Sequence, residues 1–215
     1  ESGITNYPHI LGTLKEKINQ ARLRAVLTVN AELLGIYWEI GQVIALQEAE
    51  AGWGGKTVER LAEDLRLEFP DMKGFSPRNL RYMREFHLAY PFPILQPLVA
   101  KLEADEITDN QNTQSPQNQD YIILQPLVAK LPWTHHVVIL TKVSEVKERI
   151  FYIQKCIENG WSKILLNTQI DTKLHLRQGS ILNNFADTLP QIQSDLARDT
   201  FKNPYIFDFL AIDEK

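Results

Sequence analysis

The spacing of apolar residues over the first fifty positions constrains this chain most. Ile10, Leu14, Ile18, Ala21, Ala25, Val29, Leu33, Ile36 and Ile40 recur at steps of three and four. Such steps gather side chains on one side of an α-helix, whereas a strand repeats every two residues. Asn30 and Gly35 are candidate breaks, because Asn competes for local hydrogen bonds and Gly adds backbone entropy. One long helix and two shorter ones both fit. Gly52-Trp53-Gly54-Gly55 ends the stretch, since glycines so closely spaced favour a turn.

The same period returns along the chain. A helix opening near Thr57, read as its N-cap, carries Val58, Leu61, Leu65 and Phe69 and stops at Pro70. Asp71 to Phe75 is a short turn. Ser76-Pro77 is the sharpest boundary: Ser is a favoured N-cap, and Pro at the first helical position lacks an N–H that would have no partner there. This helix runs to about Tyr90, ahead of Pro91 and Pro93. Ser144 opens a further helix with Val146, Ile150, Ile153 and Ile157 on one side, closed by Asn159-Gly160. Ser162 opens another, with Ile164, Leu165 and Ile170 expected to be buried, broken at Gln178-Gly179-Ser180. Pro190 begins a last helix, ended by Asn203-Pro204. No stretch sustains period-two alternation between turn signals. The expected class is all-α, with a winged-helix or helix-turn-helix-like unit and a second helical half.

Between the halves the sequence repeats itself. ILQPLVAKL occupies 94–102 and again 123–131. The residues between, 103–120, are rich in Asn, Gln, Asp and Thr, with little apolar side chain to bury. Two copies are too few for a solenoid, which stacks a continuous core through many repeats. A tandem duplication leaving a polar, disordered loop fits better. The expected organisation is a helical half at 8–92, an insert at 93–122 and a second helical half at 123–208.

Composition narrows the function classes. Hydrophobic residues make up 44% of the 215, enough for a core without metal or disulfide support. Cys156, the single cysteine, has no partner for an intrachain bridge and suits a reducing cytoplasm. No apolar run approaches the ~18 residues of a membrane helix. Glu1-Ser2-Gly3 opens without the basic and apolar regions of a signal peptide, so a cytoplasmic location is expected. His135-His136 does not read as a metal site, because helical neighbours point about 100° apart. Trp133 beside them reads as a packing anchor, and Cys156 as an ordinary thiol. No glycine-rich phosphate loop, G-x-S-x-G elbow or H-E-x-x-H stands in the chain. No catalytic set, metal or cofactor is expected.

The net charge of −4 argues against a generally basic nucleic-acid coat but leaves room for a local patch. Met72 to Arg84 holds Lys73, Arg78, Arg81 and Arg84 and no acidic residue. At about 100° per residue, the three arginines fall within roughly 240–360°, while Leu80, Met83, Phe86 and Tyr90 fall within roughly 80–200°. The helix can bury its aromatic side and point guanidiniums outward. Its N-terminal turn adds free N–H groups that suit a phosphate. Lys73, Ser76, Arg78, Arg81 and Arg84 are therefore the candidate DNA contacts. A solvated basic face and a protein-docking face fit the same pattern.

Several short stretches resemble one family. They include Tyr37-Trp38-Glu39-Ile40-Gly41, Leu61-Ala62-Glu63-Asp64-Leu65, Gly74-Phe75-Ser76-Pro77-Arg78-Asn79-Leu80-Arg81-Tyr82-Met83 and Leu131-Pro132-Trp133-Thr134-His135-His136. Glu158-Asn159-Gly160-Trp161-Ser162 and Asn203-Pro204-Tyr205-Ile206-Phe207-Asp208-Phe209-Leu210 extend the likeness over nearly the whole chain. These resemble the N-terminal region of the bacterial YhcG-like proteins. The resemblance implies a winged-helix-like DNA-binding module preceding a PD-(D/E)XK nuclease domain, in a family that includes neighbours of restriction–modification genes. It also implies that the metal-binding Asp and the Glu-x-Lys strand lie beyond Lys215, so that this chain alone does not cut DNA. Expected partners are DNA, a second copy, and nuclease or restriction–modification subunits, with no membrane.

Overall fold

One unbroken helix, α1 (Tyr7–Ala51), carries the first apolar stripe. At 1.5 Å per residue its 45 residues reach about 68 Å. In the computed structural model, which describes residues 7–91 and 127–177, six further helices follow. They are α2 (Gly55–Glu68), α3 (Pro77–Ala89), α4 (Trp133–Lys142), α5 (Val146–Asn159), α6 (Lys163–Asp171) and the single turn α7 (Leu174–Arg177). The described residues contain no strand, and none of their helices is long and apolar enough to cross a membrane. The insert core 103–120 and the helix expected from Pro190 lie outside the described residues.

Neither Asn30 nor Gly35 breaks α1, and Asn30 shows why. Its side chain is completely buried and donates to the carbonyls of Ala129 and Leu131, both at 2.9 Å. A tertiary bond thus takes up the amide that would otherwise compete with the helix backbone. Burial along α1 begins here. Ala31, Leu33, Leu34, Tyr37, Trp38 and Ile44 enter the core, whereas Ile10, Leu14 and Ile18 stay about half exposed. The expected stripe therefore serves two ends differently: the C-terminal half packs, and the N-terminal half projects.

α3 crosses α1 at Gly41. A Cβ at Gly41 would sit 2.0 Å from the Met83 carbonyl oxygen, so only glycine admits this approach. Leu80, Met83, Phe86 and Tyr90 are all buried, which is the side the helical spacing selects. Trp133 joins the two stretches of chain. It is wholly buried, meets Tyr37 and Phe86 edge-on with ring centroids 4.9 and 5.3 Å apart, and donates its indole N–H to Asn79 Oδ1 at 2.8 Å. Leu127, Val128, Ala129 and Leu131, from the second copy of the repeat, are buried in the same cluster.

Local boundaries differ from expectation by one to three residues. Gly54, not Thr57, caps α2, with extended backbone that glycine adopts freely. Glu145, not Ser144, precedes α5. Gly160 closes α5 in the left-handed conformation, as expected. Ser162 caps α6 by accepting the Leu165 N–H at 3.3 Å. On α6 the buried residues are Leu166 and Ile170, while Ile164 and Leu165 face outward.

Candidate nucleic-acid interface

Ser76 starts α3 as its sequence indicates: its hydroxyl accepts the Asn79 N–H at 3.2 Å, with Pro77 at the first helical position. Asn79 turns inward and donates to the Gly74 carbonyl at 2.6 Å, fixing the turn to the helix. This rigid start positions Arg78. Its guanidinium donates to the Tyr82 hydroxyl at 3.0 Å and lies 5.6 Å from that ring's centroid. Those hydrogen bonds, then one from Thr141, draw the Tyr82 phenol below its ordinary pKa. Arg78 is exposed and has no ion-pair partner among the described residues.

The other two arginines differ. Arg81 is exposed and pairs with Glu59 of α2 at 3.2 Å. Arg84 is half-buried and bridges Glu48 of α1 and Glu85. Burial opposes its charge, and the two carboxylates outweigh that effect, holding the guanidinium above its ordinary pKa. The three guanidiniums thus do not form one free outward face. Among the described residues, the N-terminal end of α3 is left uncompensated, because helices distant in sequence bring carboxylates to the other end. Lys73 is exposed in the turn before Ser76.

Two residues outside the sequence-based candidates stand at this end. Thr134, in the first turn of α4, and Lys163, at the start of α6, share a cavity of about 310 Å³ with Ser76 and Arg78. The Ser162 cap was the sequence signal for the start of α6, but its meeting with α3 is purely tertiary.

His135 and His136 are both buried. Their Nε2 atoms hydrogen-bond the carbonyls of Trp161 at 2.8 Å and Val128 at 2.9 Å. Burial lowers the His136 pKa to about 3, so its ring is neutral and donates to Val128. The Cys156 thiol is buried in α5, and burial pushes its pKa far up. Among the described residues no three His, Cys, Asp or Glu side chains gather as a metal-binding group.

The sequence model of the DUF1016 N-terminal domain family matches residues 13–121 and 110–177. The chain belongs to this family. The two matches overlap within the insert that separates the copies of ILQPLVAKL. Among curated proteins, the chain is 27% identical over 226 residues to "Putative nuclease YhcG" of Escherichia coli (strain K12). That alignment takes in all of this chain but 59% of the relative, so the DUF1016 chain spans under two thirds of that protein. No solved structure matches it significantly.

Proposed function

We propose that this DUF1016 domain is the DNA-binding and assembly module of a nuclease-associated protein, with cleavage carried by residues outside this chain. In this reading α2, the turn 69–76 and α3 act as a helix-turn-helix-like unit. Arg78 and Arg81, helped by Ser76 and Lys73, meet phosphates, and Arg84 orients α3 on α1. The observation that carries the reading is the first turn of α3. Among the described residues, Arg78 is exposed without a carboxylate and Arg81 is held by one exposed salt bridge of the kind worth ~0.2–1 kcal/mol, which a phosphate can displace.

The test is a fluorescence-anisotropy titration of duplex DNA at several salt concentrations. Neutralising about three phosphates predicts a slope of log K against log salt near −3. Arg78→Glu with Arg81→Glu abolishes binding and leaves helicity intact, because both side chains lie at the surface. Binding that survives the double change with an unaltered slope places the DNA site elsewhere. Mg²⁺-dependent cutting by the 215-residue chain alone would overturn the second half of the proposal.

A second reading has its own support. Tyr7, Ile10, Leu11, Leu14 and Ile18 leave an exposed apolar stripe on the projecting half of α1. An unpaired helix of that length gains little in water without burying such a face. A role in docking a second copy or a nuclease or restriction–modification subunit follows from it. Molecular mass by light scattering, measured beside the DNA titration, separates the two activities.

A further inference from the structure

Three helices begin at one cavity. Arg78 is the second residue of α3, Trp133 and Thr134 are the first two of α4, and Lys163 is the first of α6, and all four line it. First-turn amides have no acceptor inside their own helix. In α4 the Pro132 carbonyl accepts the His135 and His136 N–H groups at 3.0 and 3.4 Å, which leaves the amides of Trp133 and Thr134 at the cavity. That helix has Pro132 as its N-cap, with no capping hydrogen bond from a side chain, yet Trp133 at its head is completely buried. Those two amides can take an acceptor from elsewhere.

The charge of the cavity says what kind. Its walls carry Arg78 and Lys163, the Ser76 and Thr134 hydroxyls, and the Tyr82 ring, with no carboxylate among the lining residues. Neither cation has an ion-pair partner among the described residues. Each helix N-terminus adds the equivalent of about half a positive charge. Three such ends and two full cations balance a dianion better than a single negative charge. At about 310 Å³ the space exceeds a phosphate and admits the sugar attached to it. A backbone phosphodiester bears one charge and must continue the chain on both sides. A terminal phosphate bears nearly two at neutral pH and enters from one side.

We propose that this cavity binds a phosphate monoester, the 5′-terminal phosphate of a DNA strand. The inference rests on the DNA-binding reading for the identity of the strand, but the phosphate chemistry stands apart from it. Recognition is by the Arg78 and Lys163 side chains, the Thr134 hydroxyl and the leading amides of the three helices: Arg78 in α3, Trp133 and Thr134 in α4, and Lys163 and Ile164 in α6. Arg81 lies outside the cavity and serves only the general attraction to DNA.

The experiment compares one oligonucleotide with a 5′-phosphate and with a 5′-hydroxyl, alongside a nucleoside 5′-monophosphate, all titrated into the full chain. The 5′-phosphorylated strand binds about tenfold more tightly than its hydroxyl twin. Lys163→Glu, an exposed position that folding tolerates, reduces that ratio to about one while hydroxyl-strand binding falls less. Arg81→Glu weakens both strands alike and keeps the ratio. Binding of the mononucleotide, lost in Lys163→Glu, with no binding of either strand would sink the DNA reading and keep the phosphate pocket. Equal affinity for the two strands in the wild type, or a ratio unchanged by Lys163→Glu and by Arg78→Gln, overturns the pocket proposal.

Discussion

Gly41 and Gly12 lie on the same helix and answer the same substitution in opposite ways. Replacing glycine by alanine inside a helix ordinarily stabilises by up to about 1 kcal/mol, because the unfolded chain loses freedom and alanine favours the helix. At Gly12 a Cβ meets nothing within 4 Å, so Gly12→Ala gains that amount or leaves stability unchanged. At Gly41 the Cβ stands 2.0 Å from the Met83 carbonyl oxygen, 2.6 Å from its carbon and 3.1 Å from the Arg84 nitrogen. All three are backbone atoms of α3 and cannot rotate aside. Reaching even 3.0 Å from the oxygen separates α1 from α3 by about 1 Å, and a gap of that size forfeits a quarter to a half of each dispersion contact it opens. Leu80, Met83 and Phe86, all fully buried, lose packing first. Overpacking of this kind costs about 1–3 kcal/mol and occasionally more. The helix-propensity gain offsets part, leaving Gly41→Ala about 1–2 kcal/mol less stable than wild type. For a chain of this size that is a melting-temperature drop of roughly 2–8 °C. Urea unfolding followed by circular dichroism measures both variants. Gly41→Ala as stable as Gly12→Ala would refute the close crossing of α1 and α3.

Three further outcomes follow from buried polar groups. Asn30→Leu removes two hydrogen bonds and strands the Ala129 and Leu131 carbonyls, costing about 2–4 kcal/mol in the same urea experiment; a loss below ~0.5 kcal/mol would contradict the bonded geometry. His136 stays neutral in the fold to a pKa of about 3, while the unfolded chain takes up its proton near 6.5, so stability falls as pH drops through that window. Between pH 6.5 and 5 the loss is about 1–2 kcal/mol, and a variant with His136→Leu shows a flatter pH profile. The buried Cys156 thiol, held far above its ordinary pKa, reacts with a disulfide reagent at pH 8 only as fast as the chain opens; immediate reaction in the folded protein would place the sulfur at the surface.

Elements whose signals are local chemistry were legible in the sequence. Ser76-Pro77 marks the start of α3 because hydroxyl and pyrrolidine each satisfy a condition of a first turn, whatever packs nearby. Gly160 ends α5 for a similar reason, being the residue that enters a left-handed cap without strain. α4 was not legible: Trp133, His135, His136, Val138 and Ile139 are buried around several sides of it, which erases the polar face that reveals an amphipathic helix. α6 was legible as a helix but not in its rotation, since Ile164, Leu165, Leu166 and Ile170 offer two apolar faces and only the fold selects one. At the site, the acid-free run from Met72 to Arg84 was correct along the chain and incomplete in space. Glu48 and Glu59 reach α3 from α1 and α2, and no spacing rule relates residues 36 and 22 positions apart.

Those carboxylates grade the cations of α3 by how readily each can meet an anion, which bears on how the proposed module would approach DNA. Arg84 is committed: it is half-buried between Glu48 and Glu85, and withdrawing it would leave Glu48 without its partner. Arg81 is exchangeable, because its bond to Glu59 is exposed and screened by salt. Arg78 and Lys163 give up no ion pair among the described residues. The free energy gained from a phosphate therefore rises toward the N-terminus of α3. A helix graded in this way favours contact by its end rather than along its side. In the proposed complex α3 meets DNA with its first turn leading. Changes at Arg78 then act on affinity directly, whereas changes at Arg84 act through the α1–α3 junction and lower stability and binding together.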